Sequence, residues 1–221
     1  MKEDRFQVMA MFPVMLDMAQ FPALVVGGTE KAEWKIHVLL ESHAQITVAS
    51  REVSPAIACW ALGGALTWLP RGVTEEDFIA HRITFIATAD LEEAKKAWTW
   101  AKTHHHLINV VDTPDLCEFY TASHFRRDNL VISVSTSGLA PALAKALRVR
   151  LQSEFGPEWA ESVHEIAMLR KDHNSVSFIK KRAWEVVQSD FRRQKSVVTE
   201  ELNAEKLRRN RQWTIRNSNR Q

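Results

Sequence analysis

Short apolar runs separated by amphipathic stretches dominate the first half of the chain. Ala23-Leu-Val-Val26 is too short for a helix and stops at Gly27-Gly28. It passes into apolar spacing at Ala32, Ile36, Leu39 and Leu40, which predicts a strand, a tight turn and a helix over 30–42. Gln45-Ile-Thr-Val-Ala49 reads as a second strand, rich in β-branched residues. A helical stretch near 54–62 ends at Gly63-Gly64, followed by a third strand over Ala65–Leu69. Glu75–Ala80 is a short helix, Ile83–Ala87 a fourth strand, 90–103 a helix and Leu107–Val111 a fifth strand. Strands alternating with helices at this spacing imply an α/β fold, a Rossmann-like parallel sheet covered on both faces, over residues 1–113.

The pattern then changes. Phe119-Tyr-Thr and Leu130–Thr136 read as two more strands, with a polar connection over 122–129. Gly138 to Pro141 opens a helix with apolar Leu143, Ala146, Leu147 and Leu151. From Pro157 the pattern is helical to near Trp213, and the last eight or so residues are expected to fray. The expected organisation is a small strand-containing region over 114–153 and a helical C-terminal domain over 154–221.

Composition narrows the class. With 221 residues, 45% hydrophobic and 25% charged, the chain can bury a sizeable core. It has no apolar run of about 18 residues and no cleavable leader, so a protein that is not exported and engages no membrane is expected. Cys59 and Cys117 show no C-x-x-C spacing, which fits a reducing cytoplasm and two buried apolar fillers. The net charge of +2 hides an asymmetry, +7 from Ile179 to Gln221 against −5 before it. A solvated helical tail is the first reading of that basic segment, an anionic small molecule the second, and nucleic acid is not expected as a partner.

Candidate chemistry lies at three turns. Backbone amides at Gly27-Gly28, with the positive end of the following helix, can hold a pyrophosphate, although the same turn occurs in α/β proteins that bind no nucleotide. The pattern reads Gly27-Gly28-Thr29-Glu30-Lys31-Ala32, so Thr29 stands at the second fingerprint glycine. Asp112, ending the fifth strand before Thr113-Pro114, is placed either for acid–base work or to cap the next turn. Ser133–Pro141 is a hydroxyl-rich turn that offers a helix cap or donors to an anion. His104-His105-His106 are consecutive and therefore point apart, and no metal site is expected from them. Trp60, Trp98, Trp100, Trp159 and Trp184 fall in helical stretches and are expected to pack. Tyr120 has His124 where a short-chain dehydrogenase needs lysine, which disfavours that class.

Taken together, Phe12-Pro-Val-Met-Leu-Asp17, Val25-Val-Gly-Gly28, Asn109-Val-Val-Asp-Thr-Pro114, Phe119 and Ser135-Thr-Ser-Gly-Leu-Ala-Pro141 resemble the precorrin-2 dehydrogenase family, which includes the N-terminal half of sirohaem synthase. The resemblance runs from about residue 12 to 155, in order. It implies an NAD-dependent oxidation of precorrin-2 to sirohydrochlorin by a cytoplasmic homodimer. In some members, Fe²⁺ or Co²⁺ is also inserted, leading to sirohaem or cobalamin. By resemblance Asp112 is the catalytic base. Gly27, Gly28, Thr29, Glu30 and Lys31 would carry the dinucleotide, with Arg51 and Glu52 near its adenosine end and Thr88 beside it. Ser135, Thr136 and Ser137 would line the tetrapyrrole site, with Arg126, Arg127 and Arg148 as candidates for its carboxylates.

The chain departs from the family pattern at Thr29, at Ser50, which ends the second strand where an acid usually meets the ribose, and at Ala122, where proline is common. Arg51 beside Ser50 leaves NADP open. A non-catalytic tetrapyrrole-binding member is the rival reading.

Overall fold

The computed structural model describes residues 11–189. Five parallel strands form one sheet: β1 (Ala23–Val26), β2 (Ile46–Ala49), β3 (Thr67–Leu69), β4 (Ile83–Ile86) and β5 (Leu107–Val110). Their order is β3-β2-β1-β4-β5, and α1 (Glu30–Glu41), α2 (Pro55–Leu62) and α3 (Leu91–Thr103) serve the crossovers. This is the Rossmann-like sheet expected from the alternation of elements. Central β1 is fully buried on both faces, which is why its sequence is continuously apolar rather than alternating. Ala23 and Val25 pack with Ile36, Val48, Ile57 and Phe85, while Leu24 and Val26 pack with Ala49, Ile86, Ala97 and Ile108.

Two of the expected elements are trimmed for visible reasons. The third strand begins only at Thr67, because the Ala65 amide bonds back to the Trp60 carbonyl at 2.9 Å and so belongs to the turn that closes α2. The short helix near Glu75 is a single 3₁₀ turn, Glu75–Phe78, fixed by reciprocal bonds between Thr74 and Asp77.

The region after β5 needs a larger correction. Residues 119–121 are not a strand, and β6 (Ser123–Arg127) lies inside the stretch expected to be a connection. It pairs antiparallel with β7 (Leu130–Val134) across Asp128-Asn129, where Asp128 takes a φ of 52°. Phe119 instead meets Phe85 edge-on at 5.4 Å, and its carbonyl accepts from Asn109 Nδ2 at 3.0 Å. Residues 118–121 are thereby tied along β5. Strand β6 escaped notice because only Phe125 is buried on it.

Helix α4 (Pro141–Glu154) starts where the Gly138–Pro141 opening predicts, and it packs along β6 and β7. Arg127 lies over the Phe125 ring and donates to the carbonyls of Gln152 and Phe155 at the end of α4. Next come α5 (Glu158–Lys171), with Trp159 buried beside Phe155, and a further helix over 176–189. Trp184 and Cys59 are exposed, contrary to the packing roles expected of them. Cys59 stands two residues from Ile57, the buried residue of α2, and so points the other way.

By compactness the chain divides into two units. One comprises residues up to Thr121 with Ser137–Leu139, the other Ala122–Thr136 with Ala140 onward. Among the described residues no helix is long and apolar enough to cross a membrane. The helical pattern expected to Trp213, the frayed end and most of the basic +7 segment fall in 190–221, outside the described residues.

Candidate active site

Parallel pairing in register ends Val26, Ala49, Ile86 and Val110 in one row. The row continues one residue further, with Gly27 N bonded to Ala49 O, Ala87 N to Val26 O and Val111 N to Ile86 O at 2.8–3.0 Å. The strand order reverses between β1 and β4, and in open parallel sheets the ligand crevice lies beyond the carboxyl ends at that point.

The two glycines of the turn are required by the protein's own backbone. Gly27 has a φ of 109°, and a Cβ there would come within 2.7 Å of the Thr88 amide. A Cβ on Gly28 would collide with the Glu52 carbonyl oxygen, the approach being held by a 2.8 Å bond from the Ser54 amide to the Gly28 carbonyl. Thr29, by contrast, sits in ordinary extended backbone at φ −83°, so its side chain carries no strain. It is exposed and makes no capping bond. Helix α2 is capped by Ser54 and α3 by Asp90, whereas no side chain caps α1. Its first amides, at the positive end of the dipole, point to where an anion would be held.

Around this turn the rim is partly committed. Ser50 Oγ donates to the Glu52 carbonyl at 2.6 Å, and Thr88 Oγ1 donates to Glu93 at 2.8 Å. Glu33 takes the Ser54 hydroxyl at 2.7 Å, while Glu30, Arg51 and Glu52 are exposed.

Asp112 begins the loop after β5 in the left-handed region, φ 60°, which aspartate tolerates better than most residues. Its carboxylate pairs with the Lys31 ammonium, 81 residues away in sequence and on the first turn of α1. The alternative of a cap on the following turn is not what its side chain does. Two residues read separately from the sequence, one for the dinucleotide and one for acid–base chemistry, are thus brought into contact.

The structure adds a residue that the sequence reading missed. Lys35, one turn after Lys31, is half-buried, with Nζ 5.7 Å from the Phe85 ring centroid and 5.1 Å from that of Trp34. Its one hydrogen bond among the described residues is a long one, 3.5 Å to Thr121 Oγ1. Burial pushes its pKa down, against the pull of the Asp112 carboxylate. The four-residue spacing from Lys31 was the available signal.

Beside it, Asn109 Oδ1 is buried without a partner, and burial pushes the Cys117 thiol up. Cys117 stays a protonated thiol donating to the Val110 carbonyl at 3.2 Å, a filler as expected.

The three histidines diverge. His106 is buried between Thr84 Oγ1 and the Phe78 carbonyl, at 2.7 and 2.8 Å, His104 faces Glu75, and His105 is exposed. In the second unit, Thr136 Oγ1 accepts from the Ala140 amide at 3.1 Å ahead of α4. Ser137 and Gly138, which count with the first unit, have φ values of 52° and 80°. Ser135 and Arg126 are exposed, and Arg148 is engaged with the Gln152 side chain.

A doubly covered parallel sheet with a Gly-Gly turn feeding an uncapped helix defines a dinucleotide-binding domain of the Rossmann class. Residues 14–123 match the family model described as "Putative NAD(P)-binding". The chain is 37% identical over 146 residues to siroheme synthase of Thioalkalivibrio sulfidiphilus, covering 66% of this chain and 30% of that protein. Siroheme synthase 1 of Klebsiella pneumoniae is 34% identical over 143 residues, 64% of this chain and 30% of its own length. The chain therefore spans about 30% of the length of these curated relatives. Among solved structures it is similar to SirC, a precorrin-2 dehydrogenase, with a TM-score of 0.68 at 28% identity over 82% of this chain and 92% of that one. The chain belongs to the precorrin-2 dehydrogenase family, which the N-terminal part of siroheme synthase shares.

Proposed function

We propose that this protein is an NAD-dependent precorrin-2 dehydrogenase that forms sirohydrochlorin, a precursor of sirohaem and cobalamin. The observation that carries the reading is the Lys31–Asp112 pair. Among the described residues, an exposed carboxylate beyond β5 is held only by a side chain from the helix that begins at the nucleotide turn.

The residues present fit NAD. The Gly27-Gly28 backbone has no room for a Cβ, and the uncapped amides from Thr29 to Lys31 suit a pyrophosphate. Arg51 and Glu52 would meet the adenosine end, and Thr88 would stand beside the cofactor. When bound, NAD⁺ supplies the hydride acceptor for the substrate. Asp112 takes the proton lost with that hydride, so that two hydrogens leave as H⁻ and H⁺ and the books of charge balance. Lys31 holds the carboxylate in place until substrate arrives and then has to move aside. Ser135, Thr136, Ser137 and Arg126 are assigned to the tetrapyrrole.

The same reading takes the protein to be a cytoplasmic homodimer, with residues 114–153 as the dimerisation region. Leu143, Leu147 and Val149 on α4 are exposed and supply apolar surface for it. Fe²⁺ or Co²⁺ would be a second substrate, since a carboxylate can also accept the protons that a metal displaces from the macrocycle. The test is one assay in separate arms, precorrin-2 with NAD⁺, then with Fe²⁺ or Co²⁺ added. Sirohydrochlorin absorbance is expected in the first arm, and a metallated spectrum in the second marks chelation. Tight tetrapyrrole binding with no turnover and no NAD⁺ binding would overturn the reading in favour of a non-catalytic carrier.

A further inference from the structure

Charge around Asp112 is unbalanced. Lys31 and Lys35 lie one turn apart on α1, but only Lys31 reaches the carboxylate, leaving the cluster one positive charge in excess. Among the described residues no carboxylate lies within ion-pair reach of Lys35, whose Nζ has a single 3.5 Å contact with Thr121 Oγ1. An ammonium withdrawn from water onto aromatic faces, with donors to spare, is costly unless something completes it. Trp34, beside it, is 58% exposed, so a point charge and an open aromatic ring stand together at this place.

We propose that Lys35 is an anion-binding residue for a carboxylate arm of the substrate, with Trp34 as the apolar surface next to it. This rests on the reading of the site as one for a polycarboxylate macrocycle. A dinucleotide phosphate is the competing anion, and position argues against it. The uncapped amides that suit a pyrophosphate are at the start of α1, and Lys35 lies a full turn beyond Lys31, about 9 Å along the axis from the N-cap. Its ammonium lies against Thr121, in the segment tied along β5, and against Phe85 on β4. The downward pull of burial on its pKa agrees with an ammonium short of counter-charge.

The test is a binding cycle on the full chain, read by tryptophan quenching. Wild type, Lys35→Met and Lys35→Arg are each titrated with sirohydrochlorin and with its methyl ester, and separately with NAD⁺. Lys35→Met is expected to weaken sirohydrochlorin about tenfold or more, Lys35→Arg to recover most of that, and NAD⁺ affinity to stay within about twofold. With the ester, wild type and Lys35→Met should bind alike, because the partner charge has been removed from the ligand instead. An equal loss with acid and ester would overturn the proposal by showing a packing role. So would a shift confined to NAD⁺, which would place Lys35 on the dinucleotide. If wild type binds no sirohydrochlorin, the tetrapyrrole reading itself falls and takes this one with it. Lys35→Met binding sirohydrochlorin like wild type sinks this one alone.

Discussion

Asp77 and Asp112 both pair with a basic side chain, and the two pairs have opposite characters. Asp77 is nearly buried at 9% exposure, gripped by both terminal nitrogens of Arg71 at 2.7 and 2.8 Å and by the amide and hydroxyl of Thr74. Its burial alone would push its pKa up, but the Arg71 and Thr74 bonds outweigh that and hold it below the usual carboxylate range. Asp112 is exposed, sits on left-handed backbone and has one partner, a flexible lysine. A carboxylate with every acceptor site filled fixes a loop. One with its acceptor sites open and a partner able to leave is available for chemistry.

The largest effect that would break this contrast is on turnover. Asp112→Asn should lower kcat for precorrin-2 oxidation by roughly 10²–10⁴-fold, measured at saturating NAD⁺, with little change in Tm. Asp77→Ala should do the reverse. It removes the bonds to the half-exposed Arg71 fork and to the Thr74 amide and should cost about 1–2 kcal/mol in denaturant unfolding, while activity per folded molecule persists.

The third effect is one of pH. Burial holds the His106 pKa below its ordinary value, so the folded state favours neutral imidazole. Stability is full above about pH 6.5, where both states are neutral, and falls with pH below it as the unfolded chain takes the proton first. Urea midpoints between pH 7.5 and 5 should drop, and His106→Gln should flatten the drop. Smallest is Lys31→Met, which should change unfolding free energy by less than about 1 kcal/mol because the pair it removes is exposed. A larger loss would mean that the pair at Asp112 is structural after all.

Much of the first unit was legible in the sequence. Continuous apolar runs such as Ala23–Val26 can only be strands covered on both sides, and glycines that no Cβ could replace mark the turn at Gly27-Gly28. Strand β6 was not legible, because a two-stranded sheet covered on one side needs only Phe125 buried, and the other residues of Ser123–Arg127 read as a polar connection. Asp112 was visible from its place at a strand end. Its partner was not, since no local pattern joins residues 81 positions apart. Lys35 was hidden for a related reason. On a helix it reads as a solvated lysine, and only the packing of α1 against Phe85 and the approach of Thr121 show it to be withdrawn from water.

The central claim is that the carboxyl edge of the sheet joins dinucleotide binding to proton removal by Asp112. Recording NADH and sirohydrochlorin formation together, in wild type and in Asp112→Asn of matched Tm, tests it most directly. The account predicts both products rising in equal amounts with wild type and neither with the variant. Equal production by the two proteins would contradict it.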